Sequence, residues 1–164
     1  MLSKSDKAVK IREGQSLKTD SLETYIRNAM ELPKAHMEVL QFPSGYSNLT
    51  YLLKFGKKEL VLRKPPQGVK IKSGHDMGRE FRILSGLHPI YNKVPQPFLF
   101  SDELSIIGSP FYIMERMHGV IFRGHTPKDQ LPDLNQMRKL SEAFVSTLVE
   151  IHSFNYRAAG LKNL

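Results

Sequence analysis

Three groups of residues in this chain have the types and spacing to act on one ligand. The stretch Leu60-Val61-Leu62-Arg63-Lys64 ends in two cations, the turn Ser44-Gly45-Tyr46-Ser47-Asn48 lies before it, and Glu80 lies after it. A turn containing glycine can bring backbone N–H groups close to a bound anion. A strand cation can neutralise that anion, and a carboxylate can orient the cation. Side-chain alternation puts Val61 and Arg63 on one face of the strand and Leu60, Leu62 and Lys64 on the other. Glu80 falls inside the apolar arc of a helix formed by Met77, Phe81, Ile83, Leu84 and Leu87, while Arg79, Arg82 and Gly86 face the other way. A carboxylate placed there loses on the order of several kcal/mol of hydration unless a cation and hydrogen bonds compensate it. The nearest strand cations in sequence are Arg63 and Lys64.

The elements that must position these residues follow in an α+β order. Residues 1–18 are polar and Lys-rich without apolar period, and are expected to form a mobile basic arm. Asp20, with Glu23 three residues later, is expected to cap a helix carrying Leu22, Tyr25, Ile26, Ala29 and Met30, which Pro33 stops. Strands are expected over 37–42, 49–55 and 59–64, joined by the turn at 43–48 and by Gly56-Lys57-Lys58. Three sequential short strands with tight turns make an antiparallel meander. Pro65-Pro66 ends it, a helix opening at Ser73 or His75 runs to about Leu87, and strands follow over 98–101 and 110–117. In the fifth strand Phe111, Ile113, Glu115 and Met117 alternate with Tyr112, Met114 and Arg116. After a loop over 119–132, Met137, Leu140, Phe144, Leu148 and Ile151 form the apolar stripe of a last helix closing near Asn155.

Composition narrows the ligand class. The 164 residues carry 24 Lys plus Arg against 16 Asp plus Glu, a net charge of +8 that favours anionic partners. Lys54, Lys57, Lys58, Arg63, Lys64, Lys70 and Lys72 concentrate that excess around the central strand, opposed there only by Glu59. Zero cysteines exclude disulfides, thiolate zinc and a Cys nucleophile, and accord with a cytoplasmic location. No apolar run is long enough for a membrane span, so no membrane partner is expected. Histidines 36, 75, 88, 118, 125 and 152 lack metal-ligand spacing, so no metal site is expected. The aromatic residues are not interleaved with the basic ones, which argues against nucleic acid.

The ordered set Ser44-Gly45-Tyr46-Ser47-Asn48, Val61-Leu62-Arg63, Arg79-Glu80-Phe81-Arg82 and Gly108-Ser109-Pro110-Phe111-Tyr112-Ile113-Met114-Glu115 resembles the aminoglycoside phosphotransferase and choline-kinase-like family. The branch it resembles includes the N-terminal kinase domains of some acyl-CoA dehydrogenase-like proteins. The likeness covers about residues 38–164. It implies a protein-kinase-like N-lobe over 19–117, a five-stranded antiparallel sheet with a helix after the third strand, followed over 118–164 by a hinge or linker and the first helix of an incomplete C-lobe.

By that resemblance the protein is part of an ATP-dependent small-molecule phosphotransferase, with nucleotide as partner and magnesium expected only in the complete protein. Ser44, Gly45, Tyr46, Ser47 and Asn48 would lie over the phosphates. Arg63 matches the family's phosphate-holding strand cation, with Lys64 a competing candidate, and Glu80 matches the helix carboxylate that fixes it. Val61 and Met114 would line the nucleotide pocket, with Met114 screening its back. The backbone of Glu115, Arg116 and Met117 would form the adenine-contacting hinge. The family's catalytic His-x-Asp-x-x-x-x-Asn segment and its second metal-binding aspartate do not occur in the sequence. No catalytic residue is therefore assigned, and the chain alone is expected to be inactive, its small-molecule acceptor being held by a C-lobe. The alternative is a non-catalytic basic module that binds an anionic ligand, a nucleic acid or a protein.

Overall fold

The computed structural model describes residues 7–43, 48–66, 76–122, 126–127 and 131–162. Among the described residues nine elements follow one another: α1 (Thr19–Ala29), β1 (Met37–Gln41), β2 (Leu49–Phe55), β3 (Lys58–Lys64), α2 (Met77–Leu87), β4 (Pro97–Ser101), α3 (Leu104–Ile107), β5 (Phe111–Glu115) and α4 (Leu134–His152). The five strands form one antiparallel sheet in the order β1-β2-β3-β5-β4. The meander β1-β2-β3 is the expected one, with Gly56 at φ +62° in the turn that fixes the β2–β3 register. β5 then pairs with β3, opposing Tyr112 to Arg63 and Met114 to Val61.

Alternation along these strands separates two faces. One carries Tyr51, Leu53, Phe55, Leu60, Leu62, Phe111 and Ile113, all buried, and is covered by Leu22 and Ile26 of α1 and by Ile106 and Ile107 of α3. Burying each such side chain contributes about 1.5–3 kcal/mol, so this face holds the domain together. The other face carries Thr50, Leu52, Val61, Arg63, Tyr112 and Met114. There α2 packs on the β4–β5 end, with Phe81 5.8 Å from the Phe100 ring and 6.4 Å from that of Tyr112.

Several boundaries differ from expectation. α1 starts at Thr19 with Lys18 as N-cap and no side-chain cap, so Asp20 sits inside the first turn instead of capping it. The helix stops at Ala29, before Pro33 is reached. Asp76 caps α2, its side chain accepting the Arg79 N–H at 2.8 Å, and the expected openings at Ser73 or His75 lie outside the described residues. The short α3, closed by Gly108 at φ +79°, was not anticipated. Of the arm expected over 1–18, residues 1–6 lie outside the described residues. From Lys7 on it lies against the sheet edge: Val9 bridges Gln41 through two backbone bonds of 2.8 Å. The buried Gln41 side chain accepts the Arg12 N–H at 3.0 Å and donates to Gln15, whose carbonyl accepts the Tyr51 hydroxyl at 2.7 Å.

The chain divides into two units, Lys7–His118 with the sheet and a second that runs from Gly119 and contains α4. α4 opens on a reciprocal capping box, in which Asp133 accepts the Gln136 N–H at 2.8 Å and Gln136 accepts the Asp133 N–H at 3.0 Å. None of its residues is buried, and the stripe Met137, Leu140, Phe144, Leu148 and Ile151 is exposed.

Candidate functional site

Arg63 leaves β3 on the face that α2 covers, and Glu80 leaves the first turn of α2 toward it. Arg63 Nε lies 3.2 Å from Glu80 Oε2. That contact is one of charge only, because Nε is buried and makes no hydrogen bond among the described residues. The carboxylate is instead hydrogen-bonded from two other sides: Tyr112 Oη donates to Oε2 at 2.9 Å and Asn48 Nδ2 donates to Oε1 at 3.0 Å. Glu80 thus ties α2 to β3, to β5 and to the segment entering β2. Its side chain keeps 28% of its exposure and that of Arg63 35%, so the pair sits at the margin of the core, wetter than the apolar arc of α2 suggests.

Lys64, one residue on, lies on the opposite face. It is opposed to Leu49, which belongs to the core cluster, and is only 3% exposed. Burial lowers its amine pKa below the ordinary value of 10.5. Burial also raises the Tyr112 phenol, and the Glu80 charge raises it further, while Arg63 beside it pulls the other way. The phenol therefore stays protonated at neutral pH and can only donate to the carboxylate.

The other expected site residues divide by position. Ser44, Gly45, Tyr46 and Ser47 lie outside the described residues. Asn48 is buried and its amide is turned to Glu80. Val61 and Met114 are register partners on the Arg63 face. Glu115 is bound to the segment before β4, its N–H donating to Gln96 O at 2.8 Å and its carboxylate accepting the Gln96 N–H at 3.1 Å. The Arg116 guanidinium stacks 4.6 Å from the Phe42 ring centroid and approaches Glu59 at 3.9 Å; Met117 is exposed. Sequence reasoning missed Tyr112 and Phe42. The alternation of β5 already grouped Tyr112 with Met114 and Arg116, but only the pairing of β5 with β3 brings it beside Arg63. Among the described residues no cluster of three His, Cys, Asp or Glu side chains could hold a metal.

A five-stranded antiparallel sheet with a helix after the third strand, whose carboxylate meets a cation of that strand, is a kinase-like N-lobe. The chain belongs to the aminoglycoside phosphotransferase group, the phosphotransferase enzyme family, whose profile matches residues 38–164. It superposes on a candidate aminoglycoside phosphotransferase from Ralstonia eutropha JMP134 with a TM-score of 0.70 and 25% identity, over 90% of this chain and 42% of that one. It is 35% identical over 154 residues to mouse acyl-CoA dehydrogenase family member 10, covering 92% of this chain and 14% of that protein. With human acyl-CoA dehydrogenase family member 11 it shares 34% identity over 148 residues, covering 87% of this chain and 18% of the relative. The chain therefore spans a small part of the curated relatives it matches.

Proposed function

We propose that this chain is the nucleotide-holding part of an ATP-dependent small-molecule phosphotransferase. The observation that carries the reading is the Arg63–Glu80 contact at 3.2 Å, formed in a chain of this family between its third strand and the following helix. The residues present fit a nucleotide. The buried Nε of Arg63 lacks a hydrogen bond among the described residues, and a guanidinium can engage phosphate and carboxylate together in a fork geometry. Arg63 would hold the nucleotide phosphates, Glu80 would keep the guanidinium in place, and Val61 and Met114 would line the base side.

ATP, when bound with magnesium, would supply the transferable phosphoryl group. The aspartate and asparagine that such transfer needs do not occur in these 164 residues. Holding the nucleotide is therefore this chain's part, and the acceptor, an alcohol of a small molecule, would be bound elsewhere in a complete enzyme. Reading the coding sequence past Leu164 for a His-x-Asp-x-x-x-x-Asn segment tests that half of the reading.

The binding half is tested by titrating the chain with ATP. Glu80→Ala should weaken affinity by about tenfold or more, since it leaves Arg63 without its charge partner, whereas Arg82→Ala on the far side of α2 should not change it. Equal effects of the two substitutions would sink the assignment.

A further inference from the structure

We infer that Tyr112 is a positioning residue for the Arg63–Glu80 pair, holding the carboxylate in place so that the guanidinium is left able to turn toward a ligand. The inference rests on the nucleotide reading above and concerns a residue outside the expected site.

The two oxygens of Glu80 are held differently from the way an ion pair alone would hold them. Oε1 takes the Asn48 amide at 3.0 Å, and Oε2 takes the Tyr112 hydroxyl at 2.9 Å. Arg63 Nε is only 3.2 Å from Oε2, yet makes no hydrogen bond there. Two neutral donors fix the carboxylate, while the guanidinium meets Oε2 through charge and lies within hydrogen-bonding reach of the Tyr112 phenol, leaving its Nε without a hydrogen bond among the described residues. A second cation in the place of Tyr112 would compete with Arg63 for any phosphate; a protonated phenol shares Oε2 with Arg63 without adding a rival charge. Its pKa, raised by burial and then by the Glu80 charge, keeps it a donor.

Tyr112 is also placed to do this rigidly. It is 2% exposed and stands directly opposite Arg63 in the β3–β5 register. Its ring packs 6.4 Å from that of Phe81, the neighbour of Glu80 on α2. One side chain thus touches the helix through an apolar contact and, through a hydroxyl, the carboxylate. Tyr112→Phe removes the second and keeps the first.

The test is an ATP titration of the wild-type chain, Tyr112→Phe, Glu80→Ala and the double variant, with thermal unfolding alongside. Tyr112→Phe should weaken ATP binding about tenfold to a hundredfold, the scale of one hydrogen bond to a charged group. In the Glu80→Ala background it should cost nothing further, because its acceptor is gone. Undiminished affinity in Tyr112→Phe, or a loss that persists in the double variant, overturns the inference. A second readout needs no nucleotide: in nitrogen-15-labelled protein the Arg63 Nε–H should exchange with solvent more slowly in Tyr112→Phe, because Oε2 is then free to accept it, and an unchanged rate overturns the positioning role. If wild type takes up no ATP at all, the nucleotide reading falls and the exchange measurement alone decides the role of Tyr112.

Discussion

Arg63 and Lys64 are consecutive cations on one strand, yet the sheet sends them to opposite sides. Arg63 emerges where α2 brings a carboxylate to which the Tyr112 phenol of β5 and the Asn48 amide both donate. Lys64 emerges on the face of Leu49, Leu62 and Phe111, where among the described residues no carboxylate pairs with it and its amine pKa falls. Charge and sequence position are nearly the same for the two, and what separates them is the period of a strand. One face of the sheet gathers polar groups around a charge that stays partly wet, and the other spends its positions on packing.

The largest effect that can break this division is on the packing face. Phe111, fully buried with Tyr25 set edge-on 5.9 Å away, should cost about 3–5 kcal/mol of stability as Phe111→Ala, read by urea unfolding. A loss below about 1 kcal/mol would mean that this face is not the core.

A smaller effect of opposite sign is expected at Lys64. Lys64→Met keeps the length of the stem and removes a buried charge, so it should stabilise the domain by about 1 kcal/mol at neutral pH. The pH dependence has a definite sign. The folded-state amine pKa is lowered, so the burial penalty is full below it and is relieved as pH rises toward the unfolded value of 10.5. The gap between Lys64→Met and wild type should therefore narrow as pH approaches that value, and a gap that widens in urea titrations at increasing pH would contradict the assignment of Lys64 to the apolar face.

Much of this arrangement was legible in sequence because it is local. The alternation of Leu60 to Lys64 alone separated Arg63 from Lys64, and helical periodicity put Glu80 on the inward arc of α2. What was not legible depends on long-range pairing or on weak local signals. The insertion of β5 beside β3 brings Tyr112 to Glu80 from 32 positions away, and no periodicity reports it. α3 is four residues long, too short for a helical repeat to show. The segment after Lys7 lacks apolar period, and its attachment through Val9, Arg12 and Gln15 to Gln41 is made by backbone and amide groups that hydropathy does not see. The depth of Lys64 was hidden for a related reason: its long stem has an apolar part that can be buried even though the residue type signals solvent. Ser44, Gly45, Tyr46 and Ser47, the most family-dependent part of the expected site, lie outside the described residues.

The most direct measurement of the central claim is a side-by-side ATP titration of Arg63→Ala and Lys64→Met. If the α2 face holds the nucleotide, Arg63→Ala should lose about tenfold to a hundredfold in affinity, the scale of a charge-assisted contact, while Lys64→Met should bind as wild type does. Loss of binding in Lys64→Met with Arg63→Ala unaffected would place the ligand on the other side of the sheet and contradict the account.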